Sequence, residues 1–167
     1  MTHARLIAAV AALAALAAAA ATPSHAATLS CAPRTLDVWL DTQAGRTAGS
    51  TYYKLEFTNL SPHACTLRGY PGVSAIALNG RRLGSPAARN AAHPSRTVTL
   101  AGGASAIALL QVTDAHNFPS SACRPVTAAG LRVYAPGATR AATVSFPFLA
   151  CSKTGSVALH AGAVEHA

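Results

Sequence analysis

The 167-residue sequence predicts an all-β protein built as an antiparallel sandwich. Three observations carry that expectation. Runs of alternating apolar and polar residues recur along the chain, turn residues divide them at short intervals, and no long amphipathic helix interrupts the pattern. The expected organisation is a signal peptide over 1–26, one sandwich domain over 27–160, and a flexible tail over 161–167.

The elements follow in order. Leu36, Val38 and Leu40 alternate with Asp37, Trp39 and Asp41, which reads as a first strand, and Gln43 to Ser50 reads as a polar loop. Thr51 to Thr58 alternates most clearly, with Tyr53, Leu55 and Phe57 on one face and Tyr52, Lys54 and Glu56 on the other. Asn59 to Pro62 turns the chain, and Ala64 to Arg68 returns. Tyr70-Pro71-Gly72-Val73 fits a type II turn, with proline second and glycine third. Val73 to Leu78 is a strand, and Asn79-Gly80 is a two-residue hairpin signal leading into Arg81 to Leu83. Ser85 to Ser95 reads as a loop. Arg96 to Leu100 and Ala104 to Val112 are strands around Gly102-Gly103. Thr113 to Ala129 reads as a polar loop, and Leu131 to Tyr134, Thr143 to Leu149 and Ser156 to His160 complete the set. Pro147 has no amide hydrogen for a ladder, so its strand is expected at a sheet edge or at a bulge.

The N-terminus sets the expected compartment. Met1 to Arg5 carries one fixed charge, Leu6 to Ala21 is an uncharged apolar run, and Thr22-Pro23 breaks it before the small residues of Ser24-His25-Ala26. This is the layout of a secretory signal peptide, and the run is shorter than the ~20 residues of a membrane-spanning helix. Thr28-Leu29-Ser30 lacks the leucine expected three residues before a lipid-modified cysteine, which argues against a lipoprotein anchored at Cys31. The expectation is a secreted protein, extracellular or associated with the cell wall, with no membrane span once the signal is removed.

All four cysteines, Cys31, Cys65, Cys123 and Cys151, lie beyond that segment, and an even count in an exported chain reads as disulfides. Four cysteines allow three pairings, among which spacing alone does not choose. Cys31–Cys65 and Cys123–Cys151 are favoured because each closes a short local loop. The processed chain keeps twelve of the thirteen Lys and Arg and all five acids, a formal charge of +7. Such a protein adsorbs to anionic polymers and lipids of the envelope by simple electrostatics.

Few residue patterns point to chemistry. Cys65 with His63 nearby would need a free thiolate to act as a nucleophile, which an oxidising compartment disfavours. The sequence has no C-x-x-C and no H-x-x-x-H, and its one methionine is Met1, so no metal site and no cofactor are expected. Asp114 and His116 could supply two members of a Ser-His-Asp triad, but no G-x-S-x-G elbow accompanies them. Carboxylates for glycoside cleavage would have to come from Asp37, Asp41, Glu56, Asp114 and Glu165. Asp37 and Asp41 share an outward face with Trp39 between them, a stripe that can touch a sugar. Arg81, Arg82, Arg89 and Arg96, with His93, form a basic region free of acid and are the candidate anion contacts. Nucleic acid is not expected, because basic residues interleaved with stacking aromatics and glycine-rich phosphate loops are both missing.

A resemblance enters on particular residues. Ala48-Gly49-Ser50 precedes a strand ending in Phe57-Thr58-Asn59. Cys65-Thr66-Leu67 leads into Gly69-Tyr70-Pro71-Gly72-Val73, with Gly80 in the next hairpin. Val98-Thr99-Leu100 with Gly103, Cys123-Arg124-Pro125, Leu131-Arg132-Val133 and Cys151 follow. This order resembles the secreted actinobacterial domain-of-unknown-function family 4232 over about residues 31–152. The resemblance implies export, two disulfides and an immunoglobulin-like β-sandwich, and it brings no catalytic residues. The functional expectation is a non-enzymatic binding or interaction module of the envelope or extracellular space. Its face would come from the loops at 41–50, 84–96 and 113–122, and its partner would be an anionic envelope polymer or another exported protein. The alternative is a small secreted hydrolase using Asp114 and His116.

Overall fold

A computed structural model describes residues 28–167, and the signal-peptide reading of 1–26 lies outside the described residues. The described chain is mostly strand and forms an antiparallel sandwich with two disulfides, as expected. Its strands are β1 (Leu36–Thr47), β2 (Ser50–Asn59), β3 (Cys65–Arg68), β4 (Gly72–Ile76), β5 (Arg82–Leu83), β6 (Ala88–Asn90), β7 (Thr97–Leu100), β8 (Ser105–Thr113), β9 (Pro125–Tyr134), β10 (Ala141–Cys151), β11 (Leu159–Gly162) and β12 (Glu165–His166). One sheet runs β1-β2-β8-β11-β6, with β12 also pairing β8; a second runs β10-β9-β4-β5; β3 and β7 form a separate pair. The pairing of β6 with β11 is parallel.

The alternation read from β2 is borne out. Leu55 and Phe57 are fully buried, and they meet Ala108 and Leu110 of β8 and Val73, Leu131 and Val133 of the facing sheet in one core. Tyr53 crosses to the second sheet, its ring 4.8 Å from Phe146 and edge-on to it, an arrangement favoured by the ring quadrupoles. Pro147 behaves as its missing amide requires. It lies on the edge strand β10, where the register shifts between Ser145 and Phe148.

The bridges are Cys31–Cys65 and Cys123–Cys151, and no free cysteine remains. Neither joins the two main sheets. The first clamps the segment before β1 onto β3, where the Cys31 amide donates to the Thr66 carbonyl and the Thr66 amide donates to that of Leu29. The second ties the short helix α1 (Ser120–Cys123) to the end of β10.

Several local expectations are corrected. Gly72 is outside the left-handed region and opens β4, so there is no type II turn at Pro71-Gly72; the positive φ, 117°, falls on Gly69. Asn79-Gly80 does turn a hairpin, but through three residues. The Ala77 amide donates to the Arg81 carbonyl, the Gly80 amide donates to the Ala77 carbonyl, and Gly80 has φ 75°. A turn followed by one left-handed residue is the geometry of a three-residue hairpin loop, and glycine fills that place without a Cβ penalty.

The loop expected over 43–50 is mostly strand, because β1 continues to Thr47 past a register shift between Asp41 and Gly45. The loop expected over 113–129 holds a 3-10 turn at Ala115–Asn117, α1 and the start of β9. Residues 161–167, expected as a flexible tail, extend β11 and form β12 instead. Val164 is 2% exposed, and its amide donates to the Gly69 carbonyl at 2.9 Å. The apolar side chains of Leu159, Ala161 and Val164 join the main core, which is what holds this segment in place.

Candidate binding groove

The last strands matter because they build one wall of a groove. Its volume is about 680 Å³, within the range of ligand sites. The floor is the outer face of β8, where Ile107 and Leu109 alternate with the buried Ala106, Ala108 and Leu110. Leu109 is 43% exposed despite its size. One wall is the segment from Asn90 to Val98, and the other is Gly162 to His166. Lys54 enters from β2, opposite Leu109 in register.

Local chemistry positions the first wall. The Asn90 side-chain oxygen accepts from the Ala92 amide at 3.1 Å, which turns the chain as it leaves β6. The Tyr70 hydroxyl donates to the His93 carbonyl at 3.4 Å, and the Arg89 guanidinium lies 5.6 Å from the centre of the Tyr70 ring. The Gly69-Tyr70 corner therefore touches both walls, since Gly69 also receives the Val164 amide.

Lys54, Arg96, His93 and His166 line the groove against one carboxylate, Glu165. Among the described residues the one ion pair within 4.0 Å is Asp114–His116, far from these groups in the chain. Lys54 and Arg96, the fixed cations of the groove, are therefore available to a ligand. An apolar floor bordered by cations suits a partner with an apolar body and an anionic group.

The four predicted arginines do not form one cluster. Arg96 lines the groove. Arg89 leaves it to stack on Tyr70. Arg81 and Arg82 sit at the β4–β5 hairpin on the edge of the other sheet, where Arg132 joins them by donating to the Gly80 carbonyl at 2.7 Å. Of the three loops expected to form a face, 41–50 and 113–122 do meet. The Asp114 amide and the Asn117 side chain both donate to the Gly49 carbonyl, at 2.9 Å each. Only the 84–96 region reaches the groove.

Asp114 and His116 make a local cap. The Asp114 carboxylate accepts from the His116 amide at 2.9 Å and meets His116 Nδ1 at 3.0 Å, with both side chains more than half exposed. The His116 amide, then its ring, hold the Asp114 carboxyl below its ordinary value. No described hydrogen bond joins His116 to a serine, and neither residue lines the groove. Cys65, the other candidate nucleophile, is bonded to Cys31. Among the described residues no group of three or more His, Cys, Asp or Glu is placed to hold a metal. None of the described helices is long and apolar enough to cross a membrane.

The sequence carried one signal of this groove that periodicity alone did not decode. Ala106 to Leu110 is apolar on both faces of its strand, which is the mark of a strand covered on both sides. Lys54, Glu165 and His166 lie far from the basic region in the chain, and only the sheet register brings them beside it.

No curated protein and no solved structure matches the chain. A family model described as "Domain of unknown function (DUF4232)" matches residues 31–165, from the first bridged cysteine to the last strand. That span takes in both disulfides and nearly all of the groove, and the chain belongs to this family, DUF4232.

Proposed function

We propose that the protein is an exported, non-enzymatic binding module of the cell envelope or extracellular space, holding an anionic partner in the groove beside β8. One observation carries the reading: an open, apolar-floored groove in which Lys54, Arg96, His93 and His166 face a single carboxylate. Export is supported by the layout of residues 1–26 and by two disulfides that consume every cysteine.

The test is retention of the processed protein on isolated anionic wall polymer over a salt series. Retention falls as salt rises, because counter-ions screen exposed charges beyond a Debye length of about 8–10 Å. Lys54→Ala with Arg96→Ala weakens it about tenfold, whereas Arg81→Ala with Arg82→Ala leaves most of it. Salt-indifferent retention, or a loss confined to the Arg81 and Arg82 variant, overturns the assignment to the groove.

A further inference from the structure

Apart from Lys54, which enters the groove, the outer face of the β1–β2 hairpin carries chemistry that the groove leaves unused. Residues paired in an antiparallel register share a face. Asp37 lies opposite Thr58, Trp39 opposite Glu56, and Asp41 opposite Lys54. The alternate residues Leu36, Leu40, Leu55 and Phe57 are in the core, so this row looks outward. Trp39 is the sole tryptophan of the chain and is 43% exposed. In a protein whose core relies on Ala, Leu and Val, the largest apolar side chain stands outside it, and that is the informative case. Tyr52 lies on the same face, about 13 Å along β2 from Glu56 at the usual strand rise.

We propose that this face binds a glycan chain of gluco-configured sugars. One ring stacks on Trp39, a ring further along meets Tyr52, and Asp37, Asp41 and Glu56 accept hydrogen bonds from the hydroxyls. A gluco-configured ring holds its hydroxyls equatorially, so its flat faces present C–H groups. Those faces seat on the electron-rich face of an indole. The edge hydroxyls donate, and an ionised carboxylate only accepts, so the partners are complementary. Two aromatics several sugar lengths apart select a chain over a monosaccharide. Charge argues against the other occupants. The row sets three carboxylates against one cation, Lys54, so its net negative charge repels an anionic lipid surface, and a second copy docked through a two-fold axis would still leave carboxylates in excess. An uncharged polyol meets neither penalty. This row adjoins the groove floor, since Lys54 pairs with Leu109 and Glu56 with Ile107, but its probes are uncharged glycans, so its test is read separately from the salt series above.

The single tryptophan places the reporter inside the site. Intrinsic emission of the processed protein is titrated with the hexasaccharides of glucose and of N-acetylglucosamine, both β-linked. Retention on cellulose and chitin is measured for wild type and Trp39→Ala. The expected result is a saturable emission change with at least one hexasaccharide, at a Kd on the order of 0.1–1 mM. Trp39→Ala then lowers retention on the matching polysaccharide by about tenfold or more. Because Trp39 is outside the core, this variant keeps its cooperative unfolding, and a loss of retention is a loss of contact. Unchanged emission with both hexasaccharides up to about 10 mM overturns the proposal. Equal retention of Trp39→Ala and wild type overturns it as well.

Discussion

Gly130 of β9 lies directly against the backbone carbonyl of Val144 on β10, with no room between them for a Cβ. The cause is the bulge after Ser145, which pushes the β10 backbone toward its neighbour. The obstacles, the Val144 carbonyl and the Phe146 amide, are backbone, and a strand backbone cannot swing aside as a side chain tip can. Gly130→Ala is expected to destabilise the fold by about 2–3 kcal/mol. In urea unfolding, the midpoint should fall while the slope stays constant. An unchanged midpoint would mean that the bulge relaxes freely.

Asn59 is the one buried polar residue described, and it is fully inside. Its amide nitrogen donates to the carbonyls of His63 at 2.8 Å and of Leu100 and Ala101 at 3.2 Å each, and its oxygen accepts from the Ser61 amide at 3.0 Å. One side chain thereby stitches the turn after β2 to the turn after β7. Asn59→Leu keeps the volume and removes every one of those bonds. The expected cost is about 3 kcal/mol, because buried carbonyls are left without a donor. Differential calorimetry of the variant checks it, and a cost near zero would show that water replaces the amide.

The parts of the fold that were legible are those set by neighbours in the chain. The alternation of Tyr53, Leu55 and Phe57, the ladder defect at Pro147 and the local cysteine pairs each depend on short-range chemistry. The groove was not legible as a site, because Lys54, Arg96, Leu109 and Glu165 meet only through pairings of β2, β8 and β12. Asn79-Gly80 marks the position of the turn, but the loop holds three residues, one more than the dipeptide implies. Its length is decided by which backbone groups bond across the hairpin, and Asn79 Oδ1 contributes by accepting from the Arg81 amide at 3.0 Å. The end of β11 and the whole of β12 are not legible, because small residues, glycine and histidine carry little strand propensity, and burial in the core overrides it.

The two disulfides should differ in what their removal releases. In the chain-entropy view each contributes about 3–4 kcal/mol, since the closed loops, 34 and 28 residues, are similar. Cys31→Ser with Cys65→Ser frees the segment that pairs along β3, so the Thr66 amide should exchange much faster while the β2–β8 ladder stays protected. Cys123→Ser with Cys151→Ser opens a more deeply buried cluster that includes Ala115 and is packed by Phe118 and Leu149. Its exchange should rise at the Cys123, Arg124 and Ser152 amides instead. Identical exchange patterns in the two variants would contradict this local division.

The Asp114–His116 pair gives a pH signature with a definite sign. The hydrogen bond from the His116 amide, then that from its ring, lower the Asp114 carboxyl in the folded protein, while desolvation opposes them. A carboxyl lowered on folding adds stability above its unfolded value, and that stability is lost as pH falls through the folded value. Both side chains are largely exposed, so the effect on global stability is small and the sensitive readout is the carboxyl resonance itself. In carbon-detected NMR, Asp114 should titrate below the ordinary aspartate range, and His116→Ala should move it part of the way back. It should not return fully, because the backbone donor at position 116 survives the substitution. A midpoint at the unperturbed value in the wild type would show that the cap does not persist in solution. Full recovery in His116→Ala would instead assign the shift to the imidazole, and would make the ring, rather than the turn, the partner that matters.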